Sequence, residues 1–380
     1  MPHEKLFRKR VHGSSVIPAA RMPALPKIYG NLRVKSFSTQ NMTDQANHAQ
    51  PATLTDVARR AGVSPSTVSR ILNGTAKVAD DKRQAVLAAI RELNFAPNQM
   101  AQSLKHGRTM TIGIVVQDIA SPFFDEILHG VDDGLKGTGY ASVIVSGHWN
   151  ADEEAERIRL LLARKVDGII LLSGRMTDAA VLGFAAQRPI VSLGRAVRTN
   201  RAVGFHLDNE YGAWLAVRHL IELGHRRIAH LSGPAENRDS VERLAGYKRA
   251  LKEADIPFDP KLVVEGDLLE GGGLIAMNRL FDSQHAFTAV FAVNDQTAYG
   301  ARLYLYRKGI RVPDDVSLVG FDDLPGSAYT TPPLTTIRQP LYVIGQTSVH
   351  ALLRLINGEE VEGNIPPVDL VVRETTRRLR

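Results

Sequence analysis

The 380-residue chain contains no cysteine, which removes disulfides, thiolate nucleophiles and cysteine-held metals and is compatible with a reducing cytoplasm. No run of about 18 apolar residues occurs, the length a membrane-spanning helix needs, and the first 50 residues lack the continuous apolar core of a secretory signal. The familiar catalytic signatures are missing too: there is no GxxxxGKS or GxxxxGKT phosphate loop, no GxSxG nucleophile elbow and no HExxH zinc pair. Gly271 to Gly273 is a run of glycines without the GxGxxG spacing a dinucleotide requires, and Asp322 and Asp323 are adjacent, which does not set two carboxylates across a bond. His219, His225 and His230 are close in sequence, but His225 follows Gly224 and reads as a helix C-cap feature rather than a metal ligand. Neither an enzyme nor a cofactor nor a metal site is expected. Aromatic residues are scarce, at 6%.

What is present begins with an uneven charge. Residues 1–41 carry eight Lys and Arg against one acid, residues 51–108 nine against four, and residues 109–380 thirty against thirty-four. A basic head on an acidic body suits a protein whose head lies on phosphates, although a solvated surface would explain the head's charge equally well. Residues 1–50 are rich in basic, Pro and Ser residues, lack apolar periodicity and are expected to be disordered. Met42 offers an alternative start, eleven residues before the first structured motif.

That motif is TLTDVARRAGVSPSTVSRILNG, Thr53 to Gly74. Leu54, Val57, Ala58 and Ala61 form an apolar stripe at helical spacing. Thr53 is placed as N-cap with Asp56 three residues on, where Glu or Gln would fit a capping box better. Gly62 ends this helix, Val63 fills the corner, and Ser64 and Pro65 start a second helix. Its Val68, Ile71 and Leu72 face inward, leaving Ser66, Thr67, Ser69, Arg70 and Asn73 outward, a short polar face suited to base edges and phosphates. A third helix follows, with Asp80 and Asp81 in its first turn and Val86, Leu87, Ile90 and Leu93 as its apolar face. The whole reads as a helix-turn-helix for the DNA major groove. Ser66, Thr67 and Arg70 are expected to reach bases or flanking phosphates, with Arg70 as guanine reader, while Thr53, Ser69, Asn73 and Lys77 position the backbone.

Beyond residue 109 short apolar strands alternate with amphipathic helices, the mark of parallel sheets with crossover helices. Strands are expected at Thr111 to Gln117, Ala141 to Ser146, Gly168 to Leu172, Ile190 to Leu193, Arg227 to Leu231, Leu262 to Glu265, Ala289 to Val293 and Ser317 to Gly320. These are too many for one compact sheet, so two lobes are expected. Ligands of open α/β sheets collect beyond the C-terminal ends of strands. Asp118, Arg195, Asn294, Asp295, Asp322 and Asp323 stand at such ends, a set able to make directed hydrogen bonds to a polyol, and Phe123 and Phe124 offer an apolar wall. Blander readings exist for several: Asp295 as a helix cap, Asp323 as a loop residue, one Phe as core.

The segments DVARRAGVS, TVSRILNG, AIRELNFAPNQMAQSL, TIGIVV, SPFF, VDGII, RHLIELGHRRIAHLSGP, RLAGY, VPDDVSLVGFDD, PPLTTIRQP and IGQTSV occur in this order. In them the chain resembles the lactose and galactose repressor family, LacI/GalR, from about Thr53 to its end. The resemblance implies an all-α helix-turn-helix head on a two-lobed, periplasmic-binding-protein-like (type I) α/β core with three crossovers. It implies an operator-binding homodimer, a palindromic double-stranded operator and affinity switched by a small molecule. The expected division is 1–50 extension, 51–97 head, 98–108 hinge and 109–380 core, with the first lobe near 109–208 plus 339–367 and the second near 209–338 plus a C-terminal strand. By resemblance Asn98 to Lys105, including Gln102, folds into a hinge helix on operator DNA, with Leu104 wedged into the minor groove. By resemblance too, Arg243, Asn294 and Asp322 contact effector, and Asp239 and Leu268 line its pocket.

The segment YGAWLAVRHLI is similar to galactose-repressor-like members, and the acidic groups with Arg favour a sugar or sugar derivative over a purine, which would want more aromatic stacking. The competing reading is a sugar-binding protein or sugar-processing enzyme that shares the core without operator binding; a helix-turn-helix without a secretion signal argues for the regulator. Cytoplasmic, nucleoid-associated localisation is expected, and no leucine heptad tail ends the chain to make a tetramer.

Overall fold

The computed structural model describes residues 52–72, 78–95, 107–361 and 365–379. The chain divides into two compact units, one ending at His106 and one beginning at Gly107.

The described part of the first unit holds α1 (Leu54–Arg60), α2 (Pro65–Leu72) and α3 (Asp80–Glu92). Thr53 and Asp56 complete a reciprocal capping box: the Asp56 N–H donates to Thr53 Oγ1 at 3.3 Å and the Thr53 N–H to Asp56 Oδ2 at 3.0 Å. The shorter aspartate therefore serves where Glu or Gln was the better expectation. Gly62, at φ +67°, ends α1 in the left-handed region, and the Val63 N–H reaches back to the Ala58 carbonyl. Ser64 starts α2, its Oγ accepting from the Thr67 N–H. Val57, Ala58, Val68, Val86, Ala89 and Phe95 form the small core, with Leu54, Val63, Ile71 and Ile90 packed against it. On α3 this corrects the expected face: Ala89 and Phe95 supply the burial that Leu87 was assigned, since Phe95 folds back beneath the helix with its N–H on the Ile90 carbonyl. Arg60 ties α1 to α3 through a two-pronged pair with Glu92, at 3.0 and 2.8 Å.

The second unit contains two sheets. The first is ordered β2-β1-β3-β4-β5, from β1 (Thr111–Val116), β2 (Ala141–Ser146), β3 (Gly168–Leu171), β4 (Ile190–Leu193) and β5 (Ala202–Phe205), with every pair parallel. The second is ordered β11-β10-β9-β8-β6-β7, from β6 (Ile228–Ser232), β7 (Val263–Glu265), β8 (Ala289–Ala292), β9 (Ser317–Asp322), β10 (Thr335–Arg338) and β11 (Asp369–Val371); only β10 with β11 is antiparallel. Helices α4 (Pro122–Leu135), α5 (Ala151–Ala163) and α6 (Asp178–Ala185) connect the first sheet. The second sheet carries α7 (Asn209–Glu222), α8 (Arg238–Glu253), α9 (Glu270–Asp282) and α10 (Asp295–Arg307). After β10 the chain returns to the first sheet as α11 (Leu341–Ile356), which packs on α4, β3 and β4, and crosses once more to β11. Three crossovers therefore join the two lobes.

Two strands escaped the sequence reading, β5 and β10, each four residues long and mostly buried. Strand β9 runs two residues past its expected end, so Asp322 is the last residue of the strand rather than one beyond it. The central strands are buried on both faces, as parallel sheets between helices require.

Candidate functional site

The head presents a short polar face on α2. Ser66 and Arg70 are exposed, and Thr67 and Ser69 are half-buried. Ser66 and Thr67 are held in place by Ser64, whose Oγ lies 2.8 Å from Ser66 Oγ and 2.9 Å from Thr67 Oγ1. Arg70 occupies the last turn of α2, where a cation is favoured by the helix C-terminus. Thr53, expected to touch the DNA backbone, spends its hydroxyl on Asp56 at 2.6 Å as the α1 cap. Asn73, Lys77, Asn98, Gln102 and Leu104 lie outside the described residues.

In the core, a cavity of about 260 Å³ lies where the C-terminal ends of strands from both sheets converge. The loop after β1 contributes Asp118, and the first turn of α4 Phe123 and Phe124; the loop after β2 contributes Trp149; α8 contributes Asp239 and Arg243; β9 contributes Asp322, and the β8–α10 junction Asn294 and Gln296. Asp118 is exposed, its Oδ1 accepting from the Ala120 N–H at 2.9 Å. Phe124 is buried and meets Phe123 edge-on at 5.2 Å and Trp149 at 6.3 Å between ring centres, so the three rings form one wall. Buried Gln117, just past β1, ties the loops after β2 and β3 together: its Oε1 accepts from the Trp149 N–H at 3.0 Å and its Nε2 donates to the Ser173 carbonyl. Glu154, fully buried on α5, accepts from the Arg175 and Met176 N–H groups and fixes the next loop; burial pushes its carboxyl upward in pKa.

The charged floor is a relay. Arg243, 5% exposed, donates from Nε to Asn209 Oδ1 at 2.9 Å and from Nη1 to the Val293 carbonyl at 2.7 Å. Its guanidinium sits 3.8 Å over the Phe321 ring, and Nη2 stands 3.6 Å from Asp322 Oδ1. Asn209 in turn donates to Asp239 Oδ1 at 3.1 Å. Asp322 also accepts from Gln339 Nε2 at 2.6 Å. Burial raises the Asp322 pKa to about 6, with Arg243 and Gln339 opposing the rise. Its φ is +118°, a region L residues rarely occupy, and Asp323 follows at +55°, so strained backbone aims the carboxylate into the cleft.

The chain matches the model for bacterial regulatory proteins of the lacI family over residues 53–98, and that for the periplasmic binding protein-like domain over residues 217–376. It is 36% identical over 332 residues to the HTH-type transcriptional repressor PurR of Vibrio atlanticus (strain LGP32), spanning 86% of this chain and 99% of that one. Among solved structures it is similar to the lac repressor dimer bound to operator and the anti-inducer ONPF, with TM-score 0.77, 34% identity and coverage of 86% and 100% of the two chains. It is also similar to the transcriptional regulator CelR–cellobiose complex, with TM-score 0.64, 36% identity and coverage of 85% and 99%. This chain belongs to the lacI family. As a member it is a DNA-binding transcriptional regulator with an effector-binding core, and the relatives it matches are repressors rather than enzymes.

In this lacI-family core the strand-end residues do not all share one place. Asp118, Phe123, Phe124, Arg243, Asn294 and Asp322 line the inner cavity together with Asp239 and Leu268. Arg195 does not: it lines the neighbouring space, buried, with Nη1 on Asp178 at 2.7 Å. Asn294, rather than Asp295, is the α10 cap, accepting from the Thr297 N–H and donating to the Leu268 carbonyl. Asp295 is fully buried instead, accepting from Ser327 Oγ, Thr336 Oγ1 and the Leu324 N–H, with burial and Asp322 raising its pKa to about 7. Asp323 holds Arg338 and Arg373, and so is more than a loop residue. His225 does cap α7 through its N–H, but its ring also bonds Thr288, Ser317 and the Arg377 carbonyl as a core tie. Trp149 and Gln117 were missed; both stand at the strand-end positions that flagged Asp118, and Trp149 is one of two tryptophans in the chain.

Proposed function

We propose that this protein is a homodimeric repressor that grips a palindromic operator through the α2 face, with Ser66, Thr67 and Arg70 at the bases, and is switched by a carbohydrate held in the core cavity. The observation that carries the effector reading is the lining itself: carboxylates at Asp118, Asp239 and Asp322, the Arg243 guanidinium and the Gln296 amide on one side, and the Phe123, Phe124 and Trp149 wall on the other. Directed acceptors and donors suit hydroxyls, and an aromatic wall suits the apolar face of a sugar ring. The CelR–cellobiose complex and a lac repressor bound to ONPG in its repressed state support the class.

The dimer reading rests on half-site logic, on the operator-bound lac repressor dimer, and on exposed apolar side chains of the second lobe: Tyr306 at 80%, Tyr329 at 86% and Leu303 at 42% exposure. Coupling between effector and operator is expected to amount to about 1–3 kcal/mol, carried by relative movement of the lobes. The site of action is the nucleoid. Fluorescence anisotropy of the full-length protein on its own upstream DNA, with and without neutral sugars, tests the reading. Palindrome-dependent binding altered by a sugar supports it; binding that no sugar changes removes the carbohydrate switch.

A further inference from the structure

The cleft continues past the inner cavity. A second compartment of about 520 Å³ opens beside it, and Trp149, Ser173, Arg175, Asn237 and Asp239 line both spaces, so the two are continuous. The inner cavity alone, at about 260 Å³, falls short of the usual range for ligand sites, about 300–1,000 Å³. With the outer compartment the cleft reaches well into that range.

The outer compartment has its own polar fittings. Asp178 pairs with Arg195 there, and the Arg195 side chain is 7% exposed. After its bonds to Asp178 and the Gly174 carbonyl, its Nε is left buried without a partner, a state native structures rarely tolerate without purpose. The wall between the compartments is built deliberately: Trp149 sits at φ +54° with its N–H fixed by Gln117, and Gly174, at φ +132°, would drive a Cβ to within 2.6 Å of Glu154 Oε2.

Charge selects the ligand class. The inner cavity sets Asp118, Asp239, Asp267 and Asp322 against Arg175 and Arg243, a formal balance of −2. The outer compartment is neutral, with Asp178, Glu236 and Asp239 against Arg175, Arg195 and Arg238. Two of those three guanidiniums are already paired, Arg195 with Asp178 and Arg238 with Glu242. A phosphorylated sugar would bring two negative charges into this setting with little free cation to meet them.

We propose that the effector is a neutral disaccharide, one ring in the inner cavity, the second in the outer compartment, and Trp149 packed at the junction. This rests on the carbohydrate reading above and narrows it. Isothermal titration of the full-length protein compares neutral monosaccharides (glucose, galactose, mannose), neutral disaccharides built from them (maltose, cellobiose, lactose, melibiose, trehalose) and the sugars' 6-phosphates. One disaccharide is expected to bind at least about tenfold more tightly than either of its component monosaccharides and than any phosphate. Asp178→Asn, which touches only the outer compartment, is expected to remove about tenfold from disaccharide affinity and to leave monosaccharide affinity unchanged. Arg238→Ala, at an exposed side chain, gives the same readout should Asp178→Asn fail to fold. A monosaccharide that binds as tightly as every disaccharide, or variants that weaken both equally, overturns the two-ring reading and leaves a carbohydrate effector standing. Tightest binding by a 6-phosphate overturns the neutral class. Binding of no sugar of either size overturns this proposal together with the carbohydrate reading.

Discussion

Asp322 concentrates the chemistry of the core at one residue. It combines a strained φ, a nearby guanidinium and a carboxyl whose pKa is raised to about 6. Above that pH it is an ionised acceptor for ligand hydroxyls; below it the proton removes acceptor capacity. Effector affinity is therefore expected to fall as pH drops through about 6, and Asp322→Asn to bind weakly with a flatter pH profile, as calorimetry at pH 5 and pH 8 would show. Asp295 makes a different prediction. Its pKa is raised to about 7 from an unfolded value near 3.8, so the native state holds its proton more tightly than the unfolded chain does. Its contribution to stability is complete below about pH 4 and is lost as pH rises through about 7. Asp295→Asn is accordingly expected to reduce the decline of melting temperature between pH 5 and pH 8; an unchanged slope would show that the carboxyl is already ionised across that range. Part of this chemistry is legible residue by residue. Strand-end positions reveal Asp118 and Asp322, whereas the separate burial of Asp295 depends on Ser327 and Thr336, 32 and 41 residues away.

At the scale of elements, α4 and α11 show what periodicity leaves out. They pack backbone to backbone: a Cβ on Gly130 would lie 2.0 Å from the Tyr342 carbonyl oxygen, and one on Gly345 would lie 2.1 Å from that of Ile127. The small residues matter because α11 must return from the second lobe and seat against the first. Gly345→Val is expected to cost at least about 1–3 kcal/mol in urea denaturation through overpacking; a loss below about 0.5 kcal/mol would mean that the helices can part without penalty. Strands β1, β3, β8 and β9 were readable as apolar runs bounded by turns. Strands β5 and β10 were not, because AVGF is split by Gly204 and TTIR is mostly Thr and Arg, so neither shows a continuous apolar run, and their partners β4 and β9 supply what they lack. In the head, periodicity placed Val57, Val68 and Val86 inside but missed Phe95, which is buried by a chain reversal after α3 rather than by its position on the helix.

For the whole molecule the division of charge is the governing feature. The nine basic and four acidic residues of 51–108 contrast with thirty and thirty-four in 109–380. Operator affinity is expected to fall steeply with salt, by about 0.9 logarithmic units per phosphate neutralised for each decade of salt, and effector affinity to change far less. Arg70→Ala should lose about 1–3 kcal/mol of operator affinity and relax discrimination at one base position; a uniform loss across operator sequences would instead assign Arg70 to a phosphate. Composition and local pattern determined the helix-turn-helix, the alternation of strands and helices and the polar strand ends, because capping, periodicity and charge are properties of neighbouring residues. The tertiary structure decided which strand ends meet. It brought Arg243 to Asp322 from 79 residues away, sent Arg195 to the outer compartment and Asp295 into the core, and set Trp149 between two spaces, since burial and partnership come from chain segments far apart in sequence.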